Sequence, residues 1–150
     1  MNLYIVRHGE AEPGNNDAAR MLTDRGRSDI ESVAAAVVQR GATVRQIRHS
    51  GRARARETAE IFAQVLDPPA GVIIAAGIHP EDPVDPIAVS LFGERESLML
   101  VGHLPFVAHL VGLLTQGDSN RTPVNFPAGT VACLTGEDDR WELVWTESPG

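Results

Sequence analysis

Two histidines in this chain share a setting. Leu3-Tyr4-Ile5-Val6 is a short apolar run that breaks at Arg7-His8-Gly9, and Ser97-Leu98-Met99-Leu100-Val101 breaks at Gly102-His103. An imidazole ending a buried run gains little from packing, but it can act as a nucleophile or an acid–base group. Neutral imidazole attacks phosphorus well, and a phosphohistidine intermediate divides one hard displacement into two easier ones. Arg7 beside His8 points to an anionic substrate, since a guanidinium fits phosphate in a bidentate manner. Gly9, lacking a Cβ, would let backbone approach a ligand closely. His103 could donate a hydrogen bond to a transferring oxygen.

A third run, Val44 to His49, breaks at Ser50-Gly51 and leads into Arg52, Arg54 and Arg56. On a helix Arg52 and Arg56 share a face while Arg54 points elsewhere. An arginine in a first helical turn opposes the helix dipole, so at least one should be there for an anion. Spacing does not choose between them, and Arg52 and Arg56 also suit an ordinary solvated basic face. His49 and His79 are weaker candidates, and His109 lies within an apolar stretch as a packing residue. No HxH or HExxH spacing joins the histidines, so no metal site and no cofactor is expected.

The elements that must position these groups alternate. After the first strand, Ala11 to Arg20 reads as a loop rich in Pro, Gly, Asn and Asp. Thr23 or Asp24 caps a helix whose Ile30, Val33, Ala34, Val37 and Val38 repeat at helical spacing up to Gly41. A second helix runs from Arg52 to Asp67-Pro68-Pro69, carrying Ala55, Ala59, Phe62, Ala63 and Leu66 inward. Gly71 to Ala76 is expected as a strand and His79 to Pro83 as a proline-pinned loop. Ile87 to Phe92 should be a short helix, and Leu104 to Leu114 a buried helix with Pro105 in its first turn. Thr130 to Leu134 and Trp141 to Trp145 flank Gly136-Glu137-Asp138-Asp139 as a closing hairpin.

This order predicts an α/β fold in one domain, 1–150: a mostly parallel mixed sheet covered on both faces, with a C-terminal antiparallel hairpin. Parallel strands would bring Arg7-His8, His49-Ser50 and Gly102-His103 to one edge, where ligands bind in open α/β sheets.

Composition narrows the alternatives. At 150 residues, 43% apolar and 22% charged, the chain suits a single globular domain. The net charge of −7 argues against nucleic-acid binding. All 13 basic residues are arginines, which removes the P-loop lysine and Schiff-base chemistry. Cys133 is the only cysteine, so no intramolecular disulfide or cysteine-rich zinc site can form. With no signal-like N-terminus and no apolar run of ~20 residues, the expectation is a cytoplasmic protein that does not cross a membrane.

Four motifs together resemble the histidine phosphatase superfamily, also called phosphoglycerate mutase-like: Arg7-His8-Gly9-Glu10, Leu22-Thr23-Asp24-Arg25-Gly26, Ser50 to Thr58, and Val101-Gly102-His103-Leu104-Pro105. They span about two-thirds of the chain, and the small size resembles the SixA-type phosphohistidine phosphatases. The resemblance implies a three-layer α/β/α sandwich. It implies that His8 is the phosphorylated nucleophile, with Arg7, Arg54 and His103 completing the phosphate pocket. The family's Ser-x-x-x-Arg-x-x-x-Thr pattern selects Arg54 from the three arginines, and with it Ser50. Arg20 matches a basic position of SixA-type members that touches substrate.

The general acid is the missing part. Larger members carry a glutamate in a segment inserted beyond the third strand, where this chain has only a short loop holding Glu81 and Asp82. Either carboxylate could serve, and either could be an ordinary loop residue. A departing alkoxide needs a proton badly, whereas imidazole leaving phosphohistidine needs far less help. The expected substrate is therefore a phosphohistidine-bearing protein. A phosphorylated metabolite, handled by a phosphatase or mutase, is the second expectation, and a non-catalytic phosphate-binding module the third.

Overall fold

The computed structural model describes all 150 residues. In chain order the elements are β1 (Asn2–Arg7), α1 (Asp24–Gln39), β2 (Gln46–His49), α2 (Ala53–Leu66), β3 (Val72–Ile74), α3 (Asp85–Ser90), β4 (Leu98–Gly102), α4 (Phe106–Gln116), β5 (Val131–Glu137) and β6 (Arg140–Glu147). A 3₁₀ turn at Asp17–Ala19 lies between β1 and α1.

Period-2 alternation along the strands divides the core into two layers. Leu3, Ile5, Leu98 and Leu100 face α4, packing with Phe106, Leu110 and Val111. Tyr4, Val6, Met99 and Val101 face the other way, against Ile30 and Val33 of α1 and Ala59 and Phe62 of α2. The result is the three-layer α/β/α sandwich expected from the sequence. Both central strands are apolar on both faces because both faces are covered.

One six-stranded sheet runs β3-β2-β4-β1-β5-β6. The first four strands are parallel, and β5 and β6 add the antiparallel hairpin at one edge. β4 lies between β1 and β2, and its following helix packs on the opposite face from theirs. Chains leaving neighbouring strands toward opposite faces open a crevice beyond the carboxyl ends. The register is close: Arg7 pairs with Gly102, and His49 with Val101, so His8 and His103 emerge side by side.

The short helix expected over Ile87 to Phe92 is shifted to Asp85–Ser90, the strand expected from Val44 begins at Gln46, and the hairpin turn narrows to Asp138-Asp139. Three further differences bear on how the elements end and pack. The expected strand Gly71 to Ala76 shrinks to Val72–Ile74 at the sheet edge, with Ile73 and Ile74 exposed, because only one neighbour offers backbone partners. Pro105 is the N-cap of α4 rather than a first-turn residue. Gly9 owes its identity to packing: a Cβ there would meet Ile30 Cγ1 at 2.9 Å and the Gly26 carbonyl at 3.2 Å. The close seat of the β1 end on α1, rather than the approach of a ligand, requires glycine.

Candidate active site

Between β1 and α1 the backbone is pinned before it turns away. Thr23 caps α1, its Oγ1 accepting from Gly26 N at 2.8 Å and donating to Glu10 Oε2 at 2.7 Å. The pin on the other side is Thr58 of α2. Its buried hydroxyl donates to the Arg54 carbonyl at 2.8 Å and accepts from Gly9 N at 3.1 Å. The residue after His8 is thus fastened to the helical turn that carries Arg54. This gives the Ser50-Arg54-Thr58 spacing a mechanical meaning.

His8 Nδ1 lies 2.7 Å from the Gly9 carbonyl, which can only accept, so Nδ1 carries the proton and Nε2 the lone pair. Nε2 receives a hydrogen bond from Arg54 Nε at 3.3 Å. Burial, and then the charges of Arg54, Arg7 and Arg20, pull the His8 pKa down to about 4, against a smaller opposing effect of the Gly9 bond. At neutral pH the ring is therefore uncharged, with its lone pair at Nε2 available for attack.

His103 is 2% exposed, and its ring centroid is 5.0 Å from that of His8. Its Nε2 sits 2.6 Å from Ser50 Oγ. Ser50 is buried and its Oγ, which also accepts from Arg52 N at 3.4 Å, has no acceptor other than His103, so its hydroxyl donates to Nε2 and the imidazole proton sits on Nδ1. Burial, then the proximity of His8, Arg54, Arg52 and His79, lowers its pKa to about 3. Arg7 donates from Nη1 to the Phe126 carbonyl at 2.8 Å. Only two buried side-chain polar atoms in the protein lack a partner, Arg7 Nε and His103 Nδ1. Native proteins seldom bury an unpaired polar group, so two beside one nucleophilic histidine mark a place for acceptor oxygens.

Above this floor lies a rim built on Asp17. Arg54 donates from Nη1 to the Asp17 carbonyl at 2.8 Å and from Nη2 to Oδ2 at 3.2 Å. Arg52 Nη1 bonds the same Oδ2, and Arg20 Nη1 donates to Oδ1 at 3.0 Å. Partial burial pushes the Asp17 carboxyl up, but the bonds from Arg20 and Arg54 and the charges of Arg54 and Arg52 outweigh it, holding the pKa below the usual carboxylate value. An open cleft of about 650 Å³ runs between the Asn15–Ala18 stretch and Ser50, Gly51, Arg52 and His79.

Arg7, His8, Ser50, Arg54 and His103 therefore meet at one place, with Gly9 behind them and Arg20 at the rim. Arg52 departs from the solvated face: as N-cap of α2 it lies outside the helix, and its Nε donates to His79 Nδ1 at 3.2 Å. Arg56, one turn on, is exposed beside Glu60. Glu81 is exposed, and Asp82 accepts from His79 N at 2.8 Å, so neither carboxylate bonds any floor residue. His49 is buried beneath the β2 turn, accepting from Gly51 N. No group of three or more His, Cys, Asp or Glu is arranged to hold a metal ion. Sequence reasoning missed Asp17, which sits in a stretch whose composition signals only a loop, and the clamp role of Thr58.

Comparison with known proteins places the chain in a family. Residues 3–78 match the model of the histidine phosphatase superfamily (branch 1). The phosphohistidine phosphatase SixA of Escherichia coli is 26% identical over 99% of this chain and 94% of its own length. A SixA homolog of Haemophilus influenzae is 30% identical over 96% of this chain and 93% of its own. The structure of the protein histidine phosphatase SixA complexed with tungstate superposes with a TM-score of 0.90 at 26% identity, covering 99% of this chain and 97% of that one.

Proposed function

The chain belongs to the histidine phosphatase superfamily (branch 1), and on that footing we propose that it removes the phosphoryl group from phosphohistidine in another protein, through a covalent intermediate on its own His8. The observation that carries this reading is the neutral His8 Nε2 facing Arg54, with Arg7 Nε and His103 Nδ1 unpaired beside it.

The chemistry balances without a strong acid. His8 Nε2 attacks phosphorus, the P–N bond to the substrate imidazole breaks, and that ring departs neutral when its distal nitrogen carries a proton. Water then attacks phospho-His8, the second P–N bond breaks, and inorganic phosphate leaves. Arg7, Arg54 and His103 donate to the equatorial oxygens as charge redistributes in each step. Ser50 holds His103 in the tautomer that makes Nδ1 a donor. No carboxylic acid is set to protonate a leaving alkoxide, since Asp17 is held ionised and Glu81 and Asp82 do not bond the floor residues. This favours a phosphoramidate over a sugar or glycerate phosphate. The open cleft suits a phosphoryl group carried on a protein surface, and a cytoplasmic location belongs to the same reading. No helix is long and apolar enough to cross a membrane.

The test is phosphate release from a phosphohistidine protein, an aryl phosphate and a metabolite panel, with His8→Ala as control. The native chain should act without added metal and prefer phosphohistidine. Denaturation in alkali, where a phosphoramidate survives, should trap phosphate on the native chain, and on His8→Ala none. An equally active His8→Ala variant would end this reading.

A further inference from the structure

The resting pocket already contains an anion, the carboxylate of Asp17. Each of the three Arg54 guanidinium nitrogens is committed: Nε to His8, Nη1 to the Asp17 carbonyl and Nη2 to Asp17 Oδ2. Arg52 gives Nη1 to Asp17 Oδ2 and Nε to His79. Arg54 is 5% exposed, so no second face of it is open to solvent anions. These bonds leave some of the guanidinium hydrogens free, but a phosphoryl group that takes both arginines as partners competes with Asp17 for them. That exchange is feasible, because the Asp17 side chain keeps 48% exposure and rides on a short 3₁₀ turn rather than a packed element.

We propose that Asp17 is a specificity-determining residue, an internal competitor that a dianionic phosphoryl group must displace from Arg52 and Arg54 and that then guards the rim by charge. The argument is one of charge and tether. A single carboxylate yields two arginines to a phosphoryl dianion, which offers more charge and three acceptor oxygens. A monoanion such as a carboxylate or sulfate ester gains nothing in the exchange. Once displaced, Asp17 does not leave, for Arg20 holds its other oxygen and is itself tied by Nε to the Glu12 carbonyl at 2.7 Å. The displaced carboxylate stays at the pocket mouth, where it repels leaving groups that bear further acidic groups. It tolerates neutral or cationic ones, the imidazole of phosphohistidine among them.

This inference rests on the pocket being a phosphoryl site, and the test separates the two. Calorimetric titration with inorganic phosphate is run on the native chain, Asp17→Asn and Asp17→Ser. The bound-carboxylate state lowers apparent affinity by the fraction of open molecules, so both variants should bind phosphate about tenfold more tightly or better. In parallel, the ratio of phenyl phosphate to 3-phosphoglycerate hydrolysis should fall several-fold in Asp17→Asn. Unchanged or weaker phosphate binding would mean that Asp17 positions Arg54 rather than competing for it, and the proposal would be overturned. An unchanged substrate ratio overturns it as well. Phosphate binding by no form of the protein would instead remove the phosphoryl-site reading beneath it. Because the position is exposed, both variants should retain the native melting temperature.

Discussion

The floor and the rim of this cleft use the same residue types under different constraints. On the floor, Arg54 and His103 are 5% and 2% exposed, and their neighbours are fixed by buried bonds to backbone. At the rim, the side chains of Arg52, Arg20 and Asp17 are 25%, 30% and 48% exposed and are held by one another. A charge–charge contact on the floor acts through a poorly screening medium; the same contact at the rim is weakened by water and salt. Phosphoryl transfer needs preorganised groups that do not relax as charge moves, and the floor supplies them. Selection needs contacts that can exchange, and these belong to the rim.

Paired substitutions should break the comparison or sharpen it. Arg54→Lys keeps the charge but loses the planar fork that reaches His8 and the phosphoryl group together, and it should lower kcat by roughly 10²–10³-fold. Arg52→Lys at the rim should act mainly on KM, by less than about tenfold, and this loss should shrink as salt rises. Equal losses from the two variants in steady-state kinetics would erase the distinction.

Thr58→Val tests the floor through its clamp. It removes the acceptor for Gly9 N and leaves that buried N–H unpaired, which should cost about 1–3 kcal/mol in denaturant unfolding. Because Thr58 touches no substrate, kcat should fall with KM nearly unchanged, as His8 loses register with Arg54. Thr58→Ser should rescue both. A stability loss with kcat intact would make Thr58 purely structural.

The dependence of stability on pH probes the floor alone. His8 and His103 have folded-state pKa values of about 4 and about 3, below the ~6.5 of an unfolded histidine. Between those values the unfolded chain binds more protons than the folded one, so stability is complete above ~6.5 and declines as pH falls toward the folded values. Histidine resonances in NMR should show both rings neutral at pH 5.5. Protonation of either near 6.5 would mean that the floor is wetter than its burial implies.

Much of this was legible in residue order. The alternation of apolar runs and helical periods gave the sandwich, because burial of one or both faces imposes a period that sequence cannot hide. Strand-end position and type single out His8, Arg7 and His103, and the resemblance to the family's Ser-x-x-x-Arg-x-x-x-Thr pattern, not spacing alone, selects Arg54. The loop reading of Ala11 to Arg20 was right about backbone, yet Pro, Gly, Asn and Asp report only turn-forming tendency. Nothing local says that Asp17 will close over three arginines. Helical spacing does not place Arg52, because Arg52 is the cap of α2 and lies outside the helix.

What the sequence determined by itself was the set of chemical groups and the sheet that gathers them, since both follow from residue type and period. What only the tertiary structure decided was pairing. Whether Gly9 spares room for a ligand or for Ile30, whether Thr58 is a clamp, and which anion rests on Arg54 depend on distances between segments far apart in the chain. Those distances are fixed by how α1 and α2 pack on the sheet, and no local pattern encodes them.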